Sequence, residues 1–151
     1  MLVTVLVAAL LVALCFCVHL LVLSRLAQLV YHKLDSVSHP LLLVLFSLFA
    51  AHLVEVLLYA LALSALDSAG YGRLVGAVIG GKGWFADHFY FSIASYTTLG
   101  IGDIVPQGPI RLIAGVEALN GLVLVAWSAS FTYLVMERLW GKRGPTAQTR
   151  S

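Results

Sequence analysis

The chain begins with an apolar stretch that carries no charged side chain from Leu2 to about Ser24. At a rise of about 1.5 Å per residue, a helix of this length covers roughly 35 Å, enough to cross a bilayer. A cleaved secretory signal would instead have a basic segment, a shorter apolar core and a small-residue cleavage site. Residues 1–24 lack that pattern, so we expect a retained N-terminal transmembrane helix, packed peripherally.

Two further apolar stretches are long enough to span, Leu41 to about Leu66 and Ile110 to Trp140. Pro40 suits the start of the first of them. The chain is 61% hydrophobic and 11% charged, against roughly 45–50% and 25% for soluble domains. The sequence predicts an all-α membrane protein with three transmembrane helices, a polar linker over 25–40 and a polar tail over 141–151.

Several classes of function are excluded or disfavoured at this stage. The net charge of +2 is small and scattered, whereas a nucleic-acid binder clusters its basic residues on one face. No nucleophile elbow, zinc-protease or phosphate-loop motif is present in the sequence, so we expect no enzyme. The lipid bilayer is the expected environment.

The gap between the second and third stretches has an unusual composition. Its first part, 67–86, is rich in glycine and predicts an irregular extramembrane loop. The next part, 87–97, is apolar and aromatic but too short to span, so we expect a re-entrant helix. Then come residues 97–103, Thr-Thr-Leu-Gly-Ile-Gly-Asp, here called the TTLGIGD segment.

Non-helical backbone at membrane depth is tolerated only where it is buried in protein or lines a watery cavity. Glycine at every second position allows conformations that other residues resist. Such a strand can turn successive carbonyls toward one axis and replace the hydration shell of a cation. The C-terminal end of the preceding short helix adds partial negative charge.

The TTLGIGD segment, with a short helix before it and a spanning helix after it, resembles the filter signature of the potassium-channel superfamily. The resemblance covers about 41–140 and is to the two-transmembrane pore-domain type, with one pore loop per chain. It implies the following division: outer helix 41–66, extracellular loop 67–86, pore helix 87–97, filter 98–103 and inner helix 110–140. It also implies a homotetramer, because one chain supplies one filter strand and a carbonyl cage needs about four.

The resemblance further implies roles for individual residues. The filter, with K⁺ as the permeant ion and no other cofactor, is formed by five residues: Thr98, Leu99, Gly100, Ile101 and Gly102. Potassium is held at the first four of these. Thr97 and Asp103 support the filter.

Two positions depart from the common pattern. Ile101 replaces the usual tyrosine, and Ala94 stands where some potassium channels have a glutamate behind the filter. Asp103 therefore needs another donor or relies on water. A non-selective cation channel with a looser filter, or a non-conducting accessory protein of the same fold, are the alternatives to a potassium channel.

Carboxylates inside spanning helices cost at least about 2.5–3.5 kcal/mol and so need a partner or a task. Glu117 has three candidate roles: supporting the filter through pore-helix hydroxyls, a protonated structural acid, or a proton sensor. His52 and Glu55 are three apart and can hydrogen-bond. A metal site there needs a further ligand, which the sequence does not place. His19 appears alone, and we expect it to be a packing residue.

No helix carries an arginine ladder, so the sequence predicts no voltage sensor. The tail, 141–151, is too short for a soluble ligand-binding domain, so we expect gating within the membrane part or a constitutive leak. Gly121 is a candidate hinge of the inner helix, and Gly115 a second candidate bend.

Basic residues predict the orientation. Six lie in the linker and after the third helix, and three lie between the second and third helices. The positive-inside rule therefore predicts an extracellular N-terminus and a cytoplasmic C-terminus. We expect the membrane to be the plasma (inner) membrane.

Overall fold

The computed structural model describes residues 1–32, 39–76 and 84–141. In these ranges the chain forms four helices and two short strands. In chain order they are α1 (Leu2–His32), α2 (Pro40–Ser68), β1 (Arg73–Gly76), α3 (Phe85–Tyr96), β2 (Ile104–Gln107) and α4 (Ile110–Gly141). Three of them, α1, α2 and α4, are long and apolar enough to cross a membrane. The predicted all-α membrane fold is confirmed.

α2 and α4 begin and end within two residues of their predicted bounds, but α1 continues past residue 24 to His32. Leu26 and Val30 are buried in this extension. They pack in a cluster with Val44 and Leu48 of α2 and Val135 of α4. Apolar contacts therefore extend the helix through Arg25, where the sequence predicted a linker. Residues 33–38 of that linker and residues 142–151 of the tail lie outside the described residues.

The three long helices form a bundle that is apolar outside and partly polar inside. α1 packs along α2 and α4, and α3 contacts α2 and α4. Leucines, valines and phenylalanines cover the outer faces, whereas seven polar residues of the long helices are buried: Thr4, His19, Glu55, Asp67, Glu117, Asn120 and Ser128. This arrangement suits a bilayer, where a buried polar group is less costly facing other helices than facing lipid.

The segment predicted as an irregular loop contains β1. β1 pairs antiparallel with β2, with Arg73 opposite Gln107 and Gly76 opposite Ile104. The pairing satisfies backbone groups that an irregular loop would leave open. Leu74 and Ile104 are buried in the main apolar core. The expectation of irregular structure is therefore wrong for 73–76, and residues 77–83 lie outside the described part.

The start of α3 is tied to the end of α2. The ring of His88 lies between the carbonyl of Trp84, 3.0 Å from Nδ1, and the carboxylate of Asp67, 3.1 Å from Nε2. Both His88 and Asp67 are buried. The pair fixes where the short helix begins.

The end of α3 lies against Gly121 of α4. A Cβ atom built at Gly121 would overlap the carbonyl oxygen and the ring of Tyr96, whereas one built at Gly115 would meet nothing within 4 Å. Gly121 thus allows the close approach of α3 to α4. Its predicted role as a hinge stays a prediction.

The two glycines give a matched test of this packing. We expect Gly121→Ala to lower the stability by about 1–3 kcal/mol, because the added methyl group meets backbone atoms that cannot move away freely. Gly115→Ala should be neutral or slightly stabilising, since alanine favours helix by up to about 1 kcal/mol. Thermal unfolding in detergent, followed by circular dichroism, measures both. Equal midpoints for the two variants would contradict the close packing at Tyr96.

Candidate functional site

The last turn of α3 is capped by the backbone that follows it. The N–H groups of Thr97 and Thr98 donate to the carbonyls of Ile93 (3.1 Å) and Ser95 (2.9 Å). The carbonyl of Ala94 accepts from the N–H groups of both Leu99 (2.9 Å) and Gly100 (3.2 Å). The helix end thereby uses its free carbonyls, and the chain leaves it as extended backbone.

Every second residue of this extended backbone is in the left-handed region. Thr98, Gly100 and Gly102 have φ values of 57°, 54° and 85°. Thr98 is the one non-glycine residue with positive φ among the described residues, although this conformation costs roughly 1–2 kcal/mol for such a residue. In an ordinary strand successive carbonyls point to opposite sides, and reversing φ at every second residue turns them toward the same side. The φ values of the TTLGIGD segment follow this alternation.

Asp103, at the other end of the segment, has two donors. The Tyr90 hydroxyl donates to Oδ2 at 2.8 Å, and the N–H of Ile104 donates to Oδ1 at 3.0 Å. The hydrogen bond to the Asp103 carboxylate raises the pKa of the Tyr90 phenol, which keeps the phenol a donor. Tyr90 is the donor that Ala94 cannot supply. In the sequence, the position of Tyr90 one helical turn before Ala94 could have indicated this role.

The start of the segment is anchored through Tyr96, the last residue of α3. Its hydroxyl donates to Oε2 of Glu55 at 2.5 Å. Nδ1 of His52 lies 2.8 Å from the Tyr96 oxygen and 3.1 Å from the same Glu55 oxygen. The predicted contact between His52 and Glu55 is confirmed, and Tyr96 is an additional partner that sequence spacing did not reveal.

His19 is not an isolated packing residue, and that expectation is wrong. Its Nδ1 lies 2.9 Å from Oε1 of Glu55, and its Nε2 lies 3.1 Å from Oγ of Ser128. Ser128 Oγ also lies 3.0 Å from Nε2 of His52. The residues His19, His52, Glu55, Tyr96 and Ser128, called the polar cluster below, join all four helices.

Glu117 of α4 is fully buried and lies beside Ser92 and Ser95 of α3. Neither of its carboxyl oxygens has a hydrogen-bond partner among the described residues. The Ser95 hydroxyl instead donates to the carbonyl of Ala114 at 2.9 Å. Glu117 is thus next to the pore-helix hydroxyls, as expected, and its supporting role stays a prediction.

The region that resembles known proteins has nearly the same bounds as the part of the chain from α2 to α4. A family model described as "Ion channel" matches residues 41–138, from the start of α2 almost to the end of α4. One curated relative is the inward rectifier potassium channel Kirbac3.1 of Paramagnetospirillum magnetotacticum, 35% identical over 104 residues. The aligned part is 68% of this chain but only 32% of the relative. The chain therefore spans about a third of that protein's length.

Replacing either of the two buried glutamates with glutamine should affect the stability differently. Glu55→Gln replaces an acceptor oxygen with an NH₂ group, which faces donors on Tyr96 and the histidines. We expect a loss of about 1–3 kcal/mol of stability. Glu117→Gln should leave the stability nearly unchanged or raise it, because it replaces a buried acid without hydrogen bonds by a neutral group of the same shape.

Thermal midpoints of the purified variants in one detergent measure this difference. A larger loss in Glu117→Gln than in Glu55→Gln would contradict the assignment of the anchoring role to Glu55.

Proposed function

The chain belongs to this ion channel family, and from that premise we propose that it conducts potassium ions passively across a membrane through the TTLGIGD segment. The observation that carries the proposal is the alternation of φ at Thr98, Gly100 and Gly102. It supports a row of carbonyls facing one side, which is what coordination of a dehydrated cation requires.

In this proposal the carbonyl oxygens of Thr98, Leu99, Gly100 and Ile101 replace the hydration shell of K⁺, layer by layer. The Thr98 hydroxyl adds oxygens at the innermost layer, and Gly102 forms the mouth. The end of α3 points toward the entrance of the filter, and its partial negative charge favours a cation there. Several adjacent sites of similar energy let ions leave as readily as they enter.

A complete ion site needs more than one chain. A single chain provides one row of carbonyls, and the side chains of Leu99 and Ile101 are 64% and 57% exposed in it. About four such rows around an axis form a closed cage. We therefore propose a homotetramer in the plasma membrane, with the β1–β2 strand pair outside and the C-terminus in the cytoplasm.

Potassium selectivity, rather than general cation permeation, is favoured by the contacts at both ends of the segment. Tyr90 holds Asp103 at the outer end, and Glu55 holds Tyr96 at the inner end. These contacts brace the filter although Ile101 has no phenol. The relative named a potassium channel adds support for the permeant ion. Inward rectification is not part of the proposal, because most of that relative has no counterpart in this chain.

Gly100→Ala tests the filter directly. Gly100 has a φ of 54°, and a side chain is strained there whatever the space around it. We expect loss of more than nine-tenths of the K⁺ flux from loaded liposomes, with normal membrane insertion and the same tetramer mass as wild type. Gly115→Ala, also on an open position but in a helix, should keep the flux. Normal flux from Gly100→Ala would place the ion path elsewhere, and no flux from wild type would favour a non-conducting protein.

Tyr90→Phe tests the bracing of the outer end. Without the hydroxyl, Asp103 loses the donor at 2.8 Å, and we expect the ratio of K⁺ to Na⁺ flux to fall several-fold. Tyr133→Phe removes a hydroxyl from a residue that is 64% exposed on α4 and should leave the ratio unchanged. Paired liposome flux measurements with the two cations give the ratio. An unchanged ratio in Tyr90→Phe would show that Asp103 needs no such donor.

A further inference from the structure

A closed ring of contacts within the polar cluster is short of one hydrogen. Five of the six contacts form this ring: Glu55 to His19, His19 to Ser128, Ser128 to His52, His52 to Tyr96, and Tyr96 to Glu55. The sixth contact joins His52 to Glu55 across the ring. Each contact of the ring needs one hydrogen between its two atoms. The Tyr96 and Ser128 hydroxyls and two neutral imidazoles bring four hydrogens in all. When Glu55 is a carboxylate, one contact of the ring therefore lacks a hydrogen. Either a proton on one imidazole or a bound metal cation would fill that position.

We propose that His19, His52 and Glu55 bind a divalent transition-metal ion, with Zn²⁺ the best fit. One nitrogen of each imidazole and one carboxylate oxygen lie within 4.8 Å of one another. Two imidazoles and one carboxylate form a ligand set that Zn²⁺ uses in proteins. Ca²⁺ and Mg²⁺ prefer oxygen ligands throughout, so the nitrogens disfavour them.

The distances in the cluster are close to those of a zinc site. Bonds of about 2.0–2.1 Å in a tetrahedron place neighbouring ligand atoms roughly 3.3 Å apart. Glu55 Oε1 is 2.9 Å from Nδ1 of His19, and Oε2 is 3.1 Å from Nδ1 of His52. The phenol oxygen of Tyr96, 2.8 Å from Nδ1 of His52, is the nearest candidate for a fourth ligand. Binding both Nδ1 atoms to one ion requires the side chains to move, because the two atoms now contact different oxygens of Glu55.

Ser128 supplies the outer support that a metal-bound imidazole needs. A ligating histidine donates its second ring N–H to an acceptor, which fixes the ring and its tautomer. With the ion on the Nδ1 side, both Nε2–H groups point at the Ser128 oxygen, at 3.1 Å from His19 and 3.0 Å from His52. That oxygen has two lone pairs and accepts both. The ion thus resolves the missing hydrogen, because both histidines are then neutral and fully paired.

The position of the polar cluster indicates how an ion would enter it and which part of the chain a bound ion would affect. The His52 side chain is 19% exposed, whereas those of His19 and Glu55 are fully buried, so the His52 edge is the entrance. Tyr96 directly precedes the TTLGIGD segment. Resting on the proposed function, we infer that a bound ion fixes the end of α3 against α1 and α2 and so alters conduction.

Co²⁺ binding to the purified protein in detergent tests the site without relying on conduction. Tetrahedral Co²⁺ with nitrogen ligands has intense visible absorption bands, and we expect them to saturate at one ion per chain. Added Zn²⁺ should remove them. The Trp127 ring, 5.7 Å from the His19 ring, should report binding by quenched fluorescence, and Trp127→Phe should lose that quenching but keep the bands.

His19→Gln should abolish the bands, and Ser128→Ala, which keeps all three ligands, should weaken binding about 10–100-fold. Two variants serve as controls and should bind like wild type. His39→Gln removes an exposed histidine that precedes α2, and Cys17→Ser removes an exposed thiol. Absence of tetrahedral bands in folded wild type, or bands that persist in His19→Gln, would overturn the site.

The regulatory consequence has its own readout. Zn²⁺ should change K⁺ flux from liposomes several-fold for wild type and leave flux through Ser128→Ala unchanged at the same low concentration. Bands without any effect on flux would overturn the consequence alone. If wild type shows no flux at all, the proposed function fails while the absorption bands still decide whether the ion binds.

Discussion

α3 is only twelve residues long and ends between the longer helices. The path of the TTLGIGD segment depends on the contacts that hold this helix in place. α3 cannot cross a bilayer, and the backbone that leaves it has no helix to pair its polar groups. The Tyr96 hydroxyl bonded to Glu55 fixes this end laterally, and Gly121 allows the Tyr96 backbone to lie directly against α4. At the other end of the helix, His88 and Asp67 set where it starts. The strained conformation of Thr98 persists because both sides of it are fixed.

α1 has a part in this arrangement although it lies outside the matched family region, which begins at residue 41. Its His19 contacts Glu55, the carboxylate that also holds Tyr96. Ser128 closes the ring from α4. The part that matches the ion channel family, two spanning helices with α3 between them, is thereby joined to a third spanning helix by polar contacts as well as by apolar packing. A change in the hydrogen bonds of the polar cluster therefore acts directly on the end of α3, because Tyr96 belongs to both.

Much of the fold could be predicted because its signals are local. Long apolar stretches predicted the three spanning helices, and the short aromatic segment before Thr97 predicted α3. The three-residue spacing of His52 and Glu55 predicted their contact, as helical geometry requires. The end of α1 was placed too early, because Arg25 suggested a linker and the burial of Leu26 and Val30 depends on α2 and α4.

Other features depend on partners that are distant in the chain. His19 and Glu55 are 36 positions apart, and His19 and Ser128 are 109 apart, so a single polar residue on an apolar helix indicated only packing. β1 is four residues long and pairs with a strand about thirty positions later. Such a short strand shows no recognisable alternation of apolar and polar residues, and its partner is too distant in the chain to suggest a hairpin. Tyr90 lies in an aromatic run, where its role as the donor to Asp103 depends on the path of the TTLGIGD segment.

The central claim is that the one-sided carbonyls of the TTLGIGD segment select potassium. The most direct measurement is the reversal potential of the purified wild-type protein in a planar bilayer. The two sides would hold a tenfold K⁺ gradient and be balanced with Na⁺ to equal ionic strength. A potassium-selective pore predicts reversal displaced toward the K⁺ equilibrium value, about 59 mV for a tenfold gradient of a monovalent ion. Currents that reverse near zero would contradict the claim and assign the pore to general cation conduction.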